Sequence, residues 1–350
     1  VTVKVFRTQR GSAVLDSDST LTDVSITAVV MGRSRVRAWL RKNTSQPRKF
    51  LLEVNLQTST NFQMRVEDWF IGGINVEWEV TEYSAESGIT IQRGLNHGAT
   101  SISISALNHA HVELNKRNAT TDLGSDDFVT GDITSISNLT ITQDDSEAAF
   151  WQVTDWKRHA NVVKVNISIG TGTGNQNFTI SPSLTDFSKA AIVGNSSAGG
   201  SVNVDQLYRL YTINNSQGHM QRYTTGVAFE IIAYVIEFLK GWDVQPFTGE
   251  TMAATELTNN TIISAVDMNK TSLYNGSHNQ WITAADISDD DAGEAAITLK
   301  LTTSTNVEGE RATSAVVNLY ALVVVEDVGI NDLNLAGNLA GNLLGGYQDE

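Results

Sequence analysis

His109-Ala110-His111 sets two imidazoles on one side of a strand, because side chains alternate along an extended chain. Three copies around a trimer axis would bring enough nitrogens together for a metal. The sequence places no carboxylate or third histidine to complete such a site, so the plainer expectation is a pair of exposed strand residues. Asp286 to Glu294 is an acid-rich stretch in which Asp289, Asp290 and Asp291 precede Gly293. Calcium takes several oxygens on a tight turn, which makes Asp289 and Asp291 weak metal candidates. The spacing misses the EF-hand pattern, and a solvated charged loop is the default. Gly170-Thr171-Gly172-Thr173-Gly174 lacks the lysine and following helix of a phosphate loop. Apolar and strand-like residues flank it, so a hairpin turn is expected there.

No nucleophile elbow, zinc-protease helix or paired-carboxylate arrangement is identifiable. The chain has no cysteine, which excludes disulfides, thiolate metal sites and cysteine nucleophiles. The reading is therefore a non-enzyme without cofactors. About ten Asn-x-Ser/Thr sequons occur, among them those at Asn118, Asn166 and Asn269. They matter only if the protein meets a glycosylation system outside the cell. Trp39, Trp69, Trp242 and Trp281 are expected in cores or subunit contacts; exposed, they would instead offer stacking faces for sugar rings.

The elements that must position these residues are strands. The 350 residues are 41% hydrophobic and carry a formal net charge of −15. The apolar content suffices for packed cores, and the length suits two to four domains. Val, Ile, Thr, Ser, Asn and Gly recur throughout, which favours an all-β chain. The acidic balance argues against nucleic acid as partner, because a polyanion attracts clustered Lys and Arg. No apolar run approaches the ~18 residues of a membrane span. The chain opens Val1-Thr2-Val3 without Met or a signal-like apolar block, as expected if a leader was removed or the sequence starts inside a longer protein.

An internal repeat organises the chain. Trp78-Glu79-Val80-Thr81-Glu82-Tyr83 returns as Trp151-Gln152-Val153-Thr154-Asp155-Trp156, as Tyr234-Val235-Ile236-Glu237-Phe238, and loosely as Leu322-Val323-Val324-Val325-Glu326. The spacings are 73, 82 and 89 residues, a plausible small-domain period. Val3 to Phe6 reads as one further copy. Upstream, Leu56 to Asn61 precedes Arg65, Tyr211 to Ser216 precedes Arg222, and Leu301 to Asn306 precedes Arg311. In the second unit Leu139 to Thr142 is the match, without an arginine. The three arginines are expected at equivalent places, ion-paired to an acid of the closing strand such as Glu79 or Glu237; receptor binding is the minority reading. Alternating strands sit in the first half of each unit: Val24 to Thr27, Ile102 to Ser105, Phe178 to Ser181 and Ile262 to Ala265.

The expectation is thus an all-β chain of tandem antiparallel β-sandwiches in a rod with a short C-terminal tail. Residues 1–10 form an arm or the closing strand of a preceding unit. Sandwiches follow at 11–83, 84–156, 157–239 and 240–327, and a Leu/Gly/Asn tail occupies 328–350. Each closing strand, with Val80, Val153, Val235 and Val324 at its centre, is expected to point apolar residues one way and acids such as Glu237 and Glu326 the other. The tail reads as extended, or as a docking peptide for its leucines.

The order of alternating strand, Leu-x-Thr-Ser-Thr and arginine, then aromatic-x-Val-x-Glu-aromatic, resembles repeats in tailed-phage fibre, spike and head-decoration proteins. Ser188-Lys189-Ala190 after Asp186-Phe187 resembles a further stretch of those repeats. The resemblance covers residues ~11–327. It implies a trimeric, lectin-like sandwich fibre on a virion, with self and other virion proteins as partners and a host surface glycan as a candidate partner. No nucleic acid partner and no membrane insertion are expected. The alternative is a bacterial or archaeal cell-surface filament subunit or adhesin, which glycans on the sequon asparagines would favour. A carbohydrate-active enzyme with accessory β-modules is a more distant rival.

Overall fold

A computed structural model gives the fold; the structure describes residues 3–15, 21–41, 52–66, 74–116, 128–143, 148–196, 208–222, 225–275, 284–285, 297–311 and 318–329. The described residues form antiparallel strands joined by turns and three short 3-10 turns. No helix among them is long and apolar enough to cross a membrane.

Four modules repeat one plan. Module 1 contains β1 (Val5–Leu15), β2 (Leu21–Ser25), β3 (Ser34–Arg41), β4 (Glu53–Thr58), β5 (Asn61–Arg65) and β6 (Ile74–Tyr83). Module 2 contains β7 (Thr90–His97), β8 (Thr100–Ser103), β9 (Ala110–Lys116), β10 (Thr130–Ser135), β11 (Asn138–Thr142) and β12 (Ala148–Asp155). Module 3 contains β13 (Ala160–Ile169), β14 (Asn175–Thr179), β15 (Ala190–Ser196), β16 (Arg209–Asn214), β17 (Gln217–Gln221) and β18 (Phe229–Phe238). Module 4 contains β19 (Trp242–Met252), β20 (Thr258–Ile262), β21 (Thr271–Asn275), the short β22 (Ala284–Ala285), β23 (Thr298–Thr303), β24 (Asn306–Glu310) and β25 (Asn318–Asp327). In each, setting aside β22, which pairs with β25, the first, last and third strands make one sheet with the last in the middle, as in β1-β6-β3; the second, fifth and fourth make the facing sheet, as in β2-β5-β4. The two sheets bury an aliphatic core between them, for example Val36, Val54, Phe62, Met64, Val76 and Val80 in module 1.

The Leu-Thr-Ser-Thr-Asn segments are the tight turns between β4 and β5 and between β23 and β24. Their carbonyls hold the crossing to the third strand through two backbone hydrogen bonds that recur in every module. Ile26 and Val29 donate to Thr60 and Ser59, Ile104 and Leu107 to Ser137 and Ile136, Ile180 and Leu184 to Ser216 and Asn215, and Ile263 and Val266 to Thr305 and Ser304. In module 2 this turn is Ile136-Ser137, so Leu139 to Thr142 is the strand after the turn, not its counterpart.

Several expectations change. Val5 and Phe6 open β1, and Val5 pairs with Tyr83 of β6 in its own module, so they belong to a first strand, not to a preceding unit. Gly170 to Gly174 joins β13 to β14, which lie in different sheets; the turn carries the chain across the sandwich, and Gly172 takes φ +82° there. The signature acid lies on the same side of its strand as the signature valine, because the two are two residues apart. The tail beyond Gly329 lies outside the described residues.

The modules do not form a rod. A rod would keep module 1 away from module 4, yet Lys4 bonds Asp327, Thr81 bonds Ser272 at 2.8 Å and Lys300 Nζ lies 3.4 Å from the Glu77 carboxylate. The cause is the second face of each central strand. Tyr83, Trp156, Ile236, Phe238, Val323 and Val325 point away from their own cores and join Val5, Trp242 and Tyr274 in one buried cluster drawn from all four modules. Four sheets therefore cover one another around a shared hub.

Cross-strand pairs adjust volume within this frame. Trp78 lies across Gly11, where an added Cβ would sit 2.6 Å from the indole, and Trp151 lies across Gly94, where it would sit 2.8 Å away. At the same place module 4 pairs Phe247 with Leu322, the large residue having changed strands. Gly94→Val is expected to cost about 1–3 kcal/mol by overpacking. Denaturant unfolding of the single variant and of Gly94→Val/Trp151→Leu checks this; the double variant recovers most of the loss.

Candidate functional site: the charged hub and its closing contact

The acids of the repeat are loop clamps. Glu82 accepts from the backbone N–H of Val30 at 3.0 Å, and Asp155 from Asn108 and His109 at 3.4 and 3.3 Å. Glu237 accepts from Thr185 and Asp186, both at 2.6 Å, and Glu326 from Asp267 at 2.7 Å. Each fixes the segment just ahead of its module's third strand. Trp78, Val80, Val153, Val235 and Val324 pack in or against their own module cores, and Trp151 does likewise.

The arginine expectation is half corrected. Counting from the tight turn, Arg222 and Arg311 follow β17 and β24, but Arg65 is the last residue of β5. Its neighbour Val66 takes the equivalent place in module 1 and Gln143 in module 2, both buried. Arg222 donates to the carbonyls of Thr173, Val227 and Gly170, and Arg311 to those of Glu256 and Ala253. These guanidiniums brace the connection between first and second strands. Glu79 and Glu237, the acids named for them, face other partners.

His109 and His111 do not act together. His111 is fully buried, stacks on Trp156 and accepts its indole N–H through Nδ1 at 3.0 Å. His109 is half-buried just before β9 and receives the Trp156 N–H on its carbonyl. No group of three or more metal-ligating side chains occurs among the described residues. Asp289, Asp291, Asn118, Trp69 and Trp281 lie outside the described residues. Asn166, on β13, and Asn269, in the turn before β21, are exposed. Trp39 and Trp242 are 2% and 5% exposed, so they pack and present no stacking face.

Sequence reasoning missed the interfaces between modules, which repeat head to tail. The first strand of one module meets the short turn ahead of the third strand of the module before it: β7 meets 31–33, β19 meets 187–189 and β1 meets 268–270. Arg93 of β7 donates to the carbonyls of Met31 and Ser34. Arg10 of β1 donates to those of Met268 and Thr271, which hold the same places one module back. Gln152 accepts from the backbone N–H of Val36 at 3.2 Å, and Glu79, its counterpart, from that of Leu273 at 3.3 Å. Between modules 2 and 3, the Tyr234 hydroxyl accepts from Ile133 N–H and donates to Gly131 O. A head-to-tail contact used again between the last and first modules closes a ring.

The hub between modules 1, 2 and 4 is charged. Arg37 donates to Glu113 at 2.6 Å and to the Leu273 carbonyl at 2.5 Å. Arg35, fully buried, donates to the Tyr274 hydroxyl and lies 3.9 and 4.0 Å from the carboxylates of Glu79 and Glu113. Both guanidiniums stand over the Tyr274 ring, at 4.5 and 4.0 Å from its centroid. Burial alone would raise the Glu113 carboxyl; Arg37 and then Arg35 hold it well below the usual carboxylate range instead. Burial lowers the His111 imidazole, outweighing the attraction of Glu113, so its ring stays neutral.

The ring closes at Lys4 and Asp327. In three modules the position after the signature acid is aromatic, Tyr83, Trp156 and Phe238, and the chain runs on into the next module. Module 4 has Asp327 there. Its Oδ2 accepts from the backbone N–H groups of Lys4 and Val5 at 2.5 and 2.8 Å, and its Oδ1 from Lys4 Nζ at 3.1 Å. The carboxylate thus takes over, at the fourth junction, the joining done elsewhere by the chain itself.

No family model, curated protein or solved structure matches the chain.

Two outcomes follow from the hub. Glu113→Ala leaves two buried guanidiniums without their shared acid and is expected to cost about 3–5 kcal/mol, the penalty of breaking a buried pair; chemical denaturation reads it. His111 and Glu113 both titrate lower folded than unfolded, so the unfolded chain binds more protons in acid. The melting temperature is expected to fall as pH drops below His111's ordinary value of 6.5, and more steeply below Glu113's ordinary 4.5. His111→Gln, read by calorimetry across that range, removes the upper step.

Proposed function

We propose that the chain is a non-catalytic structural protein of a virus particle, a spike or a head or tail decoration, acting in particle assembly and host attachment. The observation that carries this reading is where the polar side chains of the repeat go. Glu79, Glu113, Gln152, Arg10, Arg35, Arg37 and Arg93 join one module to the next, and Glu82, Asp155, Glu237 and Glu326 clamp loops. Side chains spent on holding four sandwiches together suit a load-carrying part. The closed ring makes this part a compact head, in place of the extended fibre that the repeat alone suggests.

Association with copies of itself, as a homotrimer, and with other virion proteins belongs to the same proposal. Phe6, Ile136 and Ile262 are 62%, 67% and 73% exposed, apolar side chains that a neighbouring chain would cover. Such contact must outweigh repulsion between chains of charge −15. A host glycan, the partner for attachment, would be met on surfaces other than Trp39 and Trp242. A second reading, a cell-surface filament subunit or adhesin, is favoured by the exposed sequon residues Asn166 and Asn269.

Mass spectrometry of the purified source assembly separates the two. Capsid or tail proteins in the same particles, with unmodified Asn166 and Asn269, are expected. Filament proteins in their place, with glycans on those asparagines, would overturn the viral reading. Native mass spectrometry of the isolated chain is expected to give three copies per particle.

A further inference from the structure

The pair that closes the ring has more chemistry than a salt bridge needs. Lys4 and Asp327 side chains are both 0% exposed, with Nζ 3.1 Å from Oδ1. Lys4 Nζ also donates to the Gly241 carbonyl at 2.9 Å and lies 5.0 Å from the centroid of the Trp242 ring, so the amine is fixed beside the carboxyl. Asp327 Oδ2 sits between two backbone N–H groups, and Oδ1 accepts from Gly329 N–H at 3.0 Å.

We propose that Lys4 and Asp327 condense to an intramolecular amide that closes the ring covalently. In the dry site the ammonium gives a proton to the carboxylate. The amine lone pair on Nζ then attacks Cγ of Asp327. As the C–N bond forms, charge develops on Oδ2, where the backbone N–H groups of Lys4 and Val5 already point. The intermediate collapses with cleavage of the Cγ–Oδ1 bond. Oδ1 leaves as water with two protons, both supplied by the former ammonium, and one hydrogen stays on the amide nitrogen. Atoms and charge balance without oxidant, cofactor or external acid.

Three physical features favour the step. Burial lowers the Lys4 amine, against the attraction of Asp327, which favours the neutral nucleophile. Fixing two reactants side by side is worth effective concentrations of about 10⁵–10⁸ M in rate, which lowers the barrier to attack. Both side chains are 0% exposed, so bulk water does not compete for the carboxyl carbon. The proton passes directly along the Lys4 Nζ to Asp327 Oδ1 hydrogen bond, so the step needs no relay group. The aspartate occurs in the one module whose end is not joined by peptide bond to the next module in the ring.

The inference rests on this geometry and stands whether the protein comes from a virion or a cell surface. Intact mass spectrometry of the folded chain tests it. The expected mass is that of the sequence less one water, with a tryptic product in which the peptide bearing Lys4 is linked to the peptide bearing Asp327. Lys4→Arg and Asp327→Ala are expected at full mass, and denatured wild type should migrate faster on a gel than either. Should a variant not fold, the wild-type mass and peptide map decide alone. Full mass after prolonged incubation of folded wild type, with trypsin cutting after Lys4, overturns the proposal. So does loss of one water without a linked peptide, which marks a cyclic imide at the aspartate.

Discussion

Each module places its last strand in the middle of a sheet, and that strand has two faces to bury. One face fills the module's own sandwich. The other, carrying Tyr83, Trp156, Phe238 or Val325, is too apolar to stay in water. An isolated sandwich would leave it exposed, so no module is complete alone. Burying those faces against one another brings the modules together, and the short connections between them set their order. The aromatic contacts at the hub record this: Trp156 meets Tyr83, Phe238 and Trp242 edge to face, with centroids 5.3 to 6.0 Å apart.

Apolar packing by itself does not choose a register, and the charged layer around it does. Arg35 and Arg37 enter the hub only where Glu79, Glu113 and the Tyr274 ring meet them. A sheet slid by one residue would bury guanidiniums without acids, at several kcal/mol each. Such groups add little net stability against a well-packed apolar substitute, and their value lies in excluding the alternatives. The same logic explains Arg10 and Arg93. Each recognises two backbone carbonyls of the preceding module, so the interface is read through main-chain geometry that all modules share.

The ring reconciles a one-dimensional repeat with a closed body. Linear repeats need capped ends because their terminal units expose the surfaces that inner units bury. Here the two ends cap each other. Only the fourth junction lacks a peptide link, and only there does an aspartate replace the aromatic residue, with the backbone of Lys4 and Val5 held on its carboxylate.

The all-β class, the recurring unit and the strand that ends each unit were legible in the amino-acid order, because alternation at period two and recurrence near 80 residues are local properties of a chain. The roles of individual residues were less legible. Arg65 follows the same kind of segment as Arg222 and Arg311, yet it stands one residue nearer its turn than they do, and their place falls to Val66. His109 and His111 share a strand face by parity, but the segment becomes a strand only at Ala110, and Trp156 claims His111. The rod was the natural reading of short linkers, and it failed because sequence does not say where an outward face goes. Tyr83 and Trp156 read the same whether they cap a rod or fill a hub. Lys4 and Asp327 lie 323 residues apart, and nothing near either one announces the other. That pairing, and the closed body it completes, exists only once four modules have packed, because the contacts that create it join parts of the chain with no local signal in common.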